Sequence, residues 1–265
     1  MEFLDGLLLR RSDSAFERAI ALDPNLILAA GQLITNRADR GETGSAFEQA
    51  RDLVKRRPDS ASAHFVLGYV LRYASLLDES AHECNTALVL DRGNYQFRSC
   101  ALAFMQLGEP QRAMEFVRLD AGSDWAARQT AFILMGQGKL GEAQQSMQRT
   151  ADVPLIGRDL IQACLDPQQT SQLGRAAQKI ETHALAGVDA EPRYVFGAAL
   201  SYCGQKDAAV RLLRSAIEHN YCAYTALQTD PLLVKLRGTP EFSELLSAAK
   251  ACQNRFLAQR DQSPQ

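Results

Sequence analysis

At 265 residues and 46% hydrophobic content the chain can bury a sizeable core, and its formal net charge of −2 leaves no cationic excess for a phosphate backbone or an anionic membrane surface. Nucleic acid is therefore not expected as a partner, and no stretch approaches the roughly 20 apolar residues that a membrane span needs. The apolar run at residues 6–9 is too short for a signal peptide.

The six cysteines (Cys84, Cys100, Cys164, Cys203, Cys222 and Cys252) form no C-x-x-C pair. Cys84 and Cys100 fall on helix stripes as small apolar residues, which suits a reducing compartment and gives a cytoplasmic location as the expectation.

Residues 1–11 predict a worn first helix and residues 14–22 its partner, closed by Asp23-Pro24 because proline cannot continue a helix interior. Residues 1–22 are thus a partial or capping first hairpin, either a natural cap or the cut edge of a longer protein. Over 26–58 a second hairpin turns at Gly41, with Ala46, Ala50 and Leu53 facing inward on its second helix. The clearest unit spans 60–94. His64, Leu67, Gly68 and Leu71 form one stripe of period 3.6, Leu77, Ala81, Cys84 and Leu88 form another, and Ala74-Ser75 leaves room for a close turn.

The fourth unit opens at Tyr95, turns at Gly108-Glu109-Pro110 and continues through Ala113 and Val117. It must end near Leu119-Asp120, because the next turn glycine, Gly138, follows Gly108 by only 30 residues. A fifth unit over 125–150 carries Thr130, Ala131 and Leu134 on one helix and Ala143 and Met147 on the other, completing a block of repeats over 23–150. Residues 151–188 predict a degenerate hairpin broken at Asp166-Pro167. The frame returns over 189–218 with Phe196-Gly197, Leu200, the turn Gly204, Ala209, Leu213 and Ala216. Residues 219–256 predict capping helices, with Pro231 and Pro240 at first helical positions behind Asp230 and Thr239. The last of these, over 240–256, covers the final hairpin, and 257–265 is a polar, flexible tail.

Asp23-Pro24, Arg57-Pro58 and Asp91-Arg92 close three successive units at a constant step of 34 residues, and small residues recur in register at Ser12, Ala46 and Ser80. A fixed step of that size means stacked repeats, each unable to bury its apolar stripe alone. The pattern resembles the tetratricopeptide repeat, whose signature is Trp-x2-Leu-Gly-x2-Tyr, then Ala-x3-Phe, then Pro. Leu67-Gly68 matches as written, whereas His64 and Leu71 replace the two aromatics and Ser80 and Cys84 replace Ala and Phe. The resemblance implies an all-α solenoid of helical hairpins forming a right-handed superhelix with a concave inner face. The closing stretch Asp230-Pro231-Leu232, Leu236-Arg237, Pro240-Glu241-Phe242 and Leu245-Leu246 is similar to the end of repeat arrays attached to bacterial serine/threonine kinases and transcriptional regulators, which implies a bacterial origin and a signalling parent.

No kinase, P-loop, metalloprotease or hydrolase-elbow motif occurs in the sequence. His64 takes the place of the family's tryptophan and reads as a core residue. His82-Glu83-Cys84 reads as a surface pair beside an inward cysteine rather than a metal fragment, and His183 and His219 sit near helix ends. No catalytic residue, metal or cofactor is expected.

By the resemblance, certain positions of each first helix face the concave groove. Carried over, they are Phe65, Tyr69, Arg72 and Tyr73 in the third unit, Tyr95, Arg98, Met105 and Gln106 in the fourth, and Trp125, Arg128, Phe132 and Met135 in the fifth. One reading makes this aromatic and arginine stripe a peptide groove, in which Arg72, Arg98 and Arg128 pair with an acidic partner. The other lets neighbouring first helices pack on one another and consume it. The expected function is a non-catalytic protein-interaction scaffold. The alternatives are a regulatory or sensory segment of a larger bacterial signalling protein, and a small-ligand-binding or self-associating helical array.

Overall fold

The computed structural model describes residues 2–148 and 156–262, which contain fifteen α-helices, short 3-10 turns and no strand. The helices are α1 (Glu2–Leu22), α2 (Ile27–Asp39), α3 (Thr43–Arg56), α4 (Ala61–Tyr73), α5 (Leu77–Leu90), α6 (Ala101–Leu107), α7 (Pro110–Val117) and α8 (Asp124–Gly136) in the first half. They continue as α9 (Leu140–Gln148), α10 (Arg158–Leu165), α11 (Thr170–Ala186), α12 (Glu191–Tyr202), α13 (Lys206–Glu218), α14 (Tyr224–Thr229) and α15 (Pro240–Gln262).

One local device turns five of the hairpins. The residues at 41, 75, 108, 138 and 204 all have positive φ, glycine at every one of these positions except Ser75. In each case the next amide donates back to the carbonyl five residues earlier, as in Glu42 to Arg37, Leu76 to Leu71, Glu109 to Phe104, Lys139 to Leu134 and Gln205 to Leu200, all at 2.8–2.9 Å. This is the left-handed helix stop that satisfies an orphan carbonyl while reversing the chain. Helix starts are capped by side chains, Ser60 accepting from the Ala63 amide, Ser123 from Ala126 and Thr239, the cap read from sequence, from Phe242.

Small residues set the approach of paired helices. A Cβ added at Gly68 would lie 3.1 Å from the Ser80 carbonyl and 3.2 Å from Cys84 Sγ, and the Ser80 hydroxyl donates to the Gly68 carbonyl at 2.6 Å. Gly197 is held the same way, with Leu213 Cγ 3.0 Å from the position of a Cβ.

Several expectations are corrected. Residues 2–22 are one helix, α1, rather than two, since nothing between Arg11 and Ser14 interrupts helical hydrogen bonding. The fourth unit begins as a 3-10 segment (Tyr95–Cys100) before α6. Residues 257–262, expected as flexible, continue α15, because Phe256 and the partly buried Leu257 pack against the core. The tail beyond 262 and residues 149–155 of the expected fifth and degenerate units lie outside the described residues.

The cysteines pair. Cys84–Cys100, Cys164–Cys203 and Cys222–Cys252 are bonded, tying α5 to the fourth unit, α10 to the end of α12, and the chain after α13 to α15. They are thus no argument for a reducing compartment, since an oxidising one is where such bonds persist. Among the described residues no helix is long and apolar enough to cross a membrane.

The array does not stay open. α15 packs on α13 and also reaches α3, where Phe256 meets Phe47 edge to face at 5.3 Å between ring centroids. Arg260 pairs with Glu79 at 2.9 Å, and Gln253 donates to the Ser75 carbonyl at 2.9 Å. One apolar core therefore runs continuously from Ile34 to Phe256. A second, formed by Cys84, Phe97, Phe104, Phe116 and Ile133 among others, fills the space behind α5 to α8.

Gly68→Leu is expected to overpack the third hairpin and cost on the order of 1–3 kcal/mol, measured as a lower melting temperature by calorimetry. The disulfides close loops of 16, 39 and 30 residues. By chain entropy each contributes about 3–4 kcal/mol, so urea unfolding with excess reductant should show a markedly lower midpoint than without it.

Candidate functional site

The inner face lined by α2, α4, α6 and α8 is where the sequence places a groove, and the chain's own residues 219–233 run along it. They meet the hairpin turns in order. Asn220 Nδ2 donates to the Gly41 carbonyl at 2.9 Å, and the Cys222 amide to the Tyr73 carbonyl at 2.8 Å. The Thr225 amide donates to Ser75 Oγ at 2.8 Å and its hydroxyl to the Ser75 carbonyl at 3.0 Å. Farther along, Thr229 Oγ1 donates to the Gln106 carbonyl, and Pro231 lies so close to Gly136 that a Cβ there would come within 2.9 Å of its ring.

Beneath this segment lies a buried polar cluster. Arg72, with no solvent exposure, donates from Nε and Nη2 to the two oxygens of Glu191 at 2.5 and 3.1 Å. Tyr221 donates to Glu191 at 3.4 Å and receives the Gln106 amide at 2.5 Å. Beside them, Tyr69 donates to Asp39 Oδ1 at 2.6 Å, and the Tyr73 hydroxyl lies 3.0 Å from Asp39 Oδ1, 2.6 Å from Asp189 Oδ1 and 2.9 Å from the Tyr69 hydroxyl. The Glu191 amide donates to Asp189 Oδ1 at 2.8 Å.

Burial opposes ionisation of both aspartates. Asp189 is pushed up to about 8 by desolvation and then by the charges of Asp39 and Glu191. Asp39 rises to about 6 by desolvation, against the hydrogen bonds from Tyr69 and Tyr73. Burial alone would lower Arg72, but the charge and hydrogen bonds of Glu191 outweigh it and keep the guanidinium charged.

The groove residues read from sequence therefore divide. Arg72 and Tyr73 are sealed inside the closure, and Tyr69, half-buried, joins the same cluster with Arg72 4.7 Å above its ring. Phe65 is half-buried between helices, with Phe97 at 5.3 Å. Tyr95 is 55% exposed and, with Trp125, brackets Arg98, whose guanidinium lies 5.7 and 5.4 Å from the two rings and pairs with Asp120 at 3.0 Å. Arg128 lies over the Phe196 ring and donates to the Ile156 carbonyl at 3.3 Å. The three arginines thus have partners within the chain, two carboxylates and one carbonyl.

Gln106, Phe132 and Met135 are buried. Met105 and Phe132 line an open cleft of about 220 Å³ between the α6 and α8 turns, whose other wall is Ile133, Pro231 and Leu232.

Outside the groove list, His64 is bonded at both ring nitrogens, to Glu83 at 2.6 Å and to the Pro58 carbonyl at 2.9 Å. Glu83 is thereby drawn into the hairpin and is not a solvated neighbour of His82. Asp39, Asp189, Glu191 and Tyr221 were not singled out from sequence. The only signal was a pair of acidic residues, Asp189 and Glu191, at the start of a first helix, a position where acids are ordinary.

No protein-family model and no curated protein sequence matches the chain. Solved structures do resemble it. A chain of the APC/C hetero-tetramer Cut9–Hcn1 aligns with a TM-score of 0.58 at 15% identity over 91% of this chain and 52% of that one, so the present chain spans about half its length. A tetratricopeptide repeat protein from Parabacteroides merdae aligns with a TM-score of 0.51 at 15% identity over 94% of each chain. At such identities the likeness establishes the fold, an α-helical repeat solenoid of the tetratricopeptide kind.

Breaking the buried pair by Glu191→Gln should cost about 3–5 kcal/mol, because Arg72 is left charged and unpaired. Replacing both partners, Arg72→Met with Glu191→Leu, should recover most of that loss in chemical denaturation.

Proposed function

We propose that the chain is a non-catalytic interaction scaffold that holds a peptide or protein segment at the inner face, by way of the cleft between the α6 and α8 turns. The observation that carries this reading is the cleft itself, a part of the predicted stripe that residues 219–233 leave open, with Met105 above the buried Phe132 on one side and Pro231 and Leu232 on the other. At about 220 Å³ it is smaller than the ~300–1,000 Å³ typical of small-molecule pockets. That size favours entry of one bulky apolar side chain over a small-molecule ligand. The neighbouring 219–233 segment supports it further, since the same turns already hold a stretch of chain through their carbonyls. Repeat arrays of this fold commonly mediate contacts between proteins.

The acidic partner expected from Arg72, Arg98 and Arg128 is not part of the proposal, because those guanidinium groups are taken up internally. The non-catalytic reading is supported by the fate of the polar side chains, whose carboxylates and tyrosines bond to one another rather than to an open site.

A displayed peptide library selected against the folded chain should yield binders with a bulky apolar anchor. Met105→Lys should weaken those binders at least about tenfold, equivalent to about 1.4 kcal/mol, with helical circular dichroism unchanged. Binders indifferent to that substitution would place recognition elsewhere.

A further inference from the structure

The junction of Asp39, Tyr69, Tyr73 and Asp189 is short of hydrogen atoms. Four oxygen pairs approach within 2.6–3.0 Å, yet two hydroxyl protons serve them all. If Tyr73 donates to Asp189, its oxygen faces Asp39 with nothing between them. If it donates to Asp39, the 2.6 Å approach to Asp189 has no proton. One added proton covers every approach to a carboxylate, leaving only the 2.9 Å contact between the two tyrosine oxygens without a hydrogen of its own. A carboxyl O–H on Asp189 donates to the Tyr73 oxygen, Tyr73 donates to Asp39 Oδ1, and Tyr69 donates to the same Asp39 oxygen.

The other charged or titratable groups facing the pair are Arg72 on α4, Glu191 on α12 and Tyr221 on the segment that follows α13. The one cation among these groups, Arg72, gives Nε and Nη2 to Glu191, while its buried Nη1 makes no hydrogen bond to either aspartate. Tyr221 bonds Glu191 and Gln106. With Asp39, Asp189 and Glu191 all ionised against one arginine, the cluster would carry two net negative charges in a partly buried setting, which is costly.

The junction also lies at the seam of the fold. Asp39 ends α2 and Tyr73 ends α4, while Asp189 and Glu191 open α12, and the Tyr73 carbonyl receives the Cys222 amide that leads the occluding segment in.

We propose that the Asp39–Tyr73–Asp189 junction is a proton-held latch: the closed array carries one proton shared across its two carboxylates, and release of that proton to water loosens the seam that holds residues 219–233 on the inner face. The upward shifts of Asp39 and Asp189 agree with this placement.

The sign follows from linkage. Both carboxyls bind their protons more tightly folded than unfolded, so their contribution is fully present below the unfolded value of 3.8 and is lost as pH rises through about 6 and then about 8. Asp230, buried against Tyr194 and raised to about 6, adds a pH dependence of the same sign below the upper step. A variant must therefore isolate the latch.

The test is denaturant unfolding of the full chain across about pH 5 to about pH 9, in the wild type and in Asp189→Asn, which mimics the protonated carboxyl. The wild-type unfolding constant should rise at least about tenfold over that window and that of Asp189→Asn by much less. Hydrogen exchange of residues 220–229, corrected for its intrinsic pH dependence, should accelerate in the wild type alone. Should Asp189→Asn not fold, carboxyl carbon NMR of the wild type still decides: one aspartate titrating above about pH 6 that is absent in Asp230→Asn leaves only Asp230 and overturns the latch, whereas one retained in Asp230→Asn supports it. Equal pH slopes in wild type and a folded Asp189→Asn would also overturn it.

Discussion

The structure depends on one long-range contact, the burial of Arg72 against Glu191 across a separation of 119 residues. Hairpin repeats stack through nearest neighbours, and nothing in that logic says where the stack must end or what covers its inner face. Here the third hairpin is joined directly to α12, far along the stack. Once these are joined, Tyr221 meets Tyr73 edge to face and Tyr194 at a tilt, with ring centroids 5.0 and 5.3 Å apart, and the segment beyond α13 is delivered along the turns. A buried ion pair is weak evidence for stability, because desolvation consumes most of its Coulombic gain. Its consequence here is register. A fork-shaped guanidinium accepted by both carboxylate oxygens fits only one position of α12 against α4.

What was legible in the sequence is what local chemistry encodes. The turn glycines at 41, 108, 138 and 204 are statements about five or six neighbouring residues, repeated along the chain at the step of 34 that runs from Pro24 to Pro58 to Arg92, and they locate helices wherever those neighbours suffice. Ser75 turns the chain in the same left-handed way without a glycine, held there by Thr225 and Gln253, whose hydrogen bonds to its hydroxyl and carbonyl come from remote parts of the chain. The continuity of α1 was missed for a related reason. A polar stretch such as Arg10 to Asp13 looks like a break, yet it holds helical conformation when its side chains find partners, as Asp13 does with Arg40 at 2.7 Å and Asn36 at 2.7 Å.

The site was far less legible. A helix stripe of Phe65, Tyr69, Arg72 and Tyr73 is what an open groove requires, and equally what an internal seam requires, because both demand apolar area with directed donors. Only the partner distinguishes them, and the partner, residues 189–221, is remote in sequence. Cysteine pairing is silent for the same reason. Six cysteines allow fifteen connectivities, and Cys222–Cys252 becomes readable only once the path of the chain between α13 and α15 is known.

The way residues 219–233 sit on the inner face bears on what the rest of that face can recognise. Apart from the buried bonds of Tyr221 and Asp230 and the Thr225 amide on Ser75 Oγ, their contacts at the turns go to main-chain oxygens at Gly41, Tyr73, Ser75 and Gln106. Carbonyls at turns are present whatever side chains surround them, so such contacts fix the path of a bound segment and carry little sequence information. Discrimination must come from side chains entering a shaped cavity. On this face the stretch of that kind left open by the chain is the Met105–Phe132 cleft, and its far wall is built from Pro231 and Leu232 of the occluding segment itself. The shape of the cleft is therefore tied to the closure, and any shift of α12 away from α4 alters the cleft through the same stretch of chain.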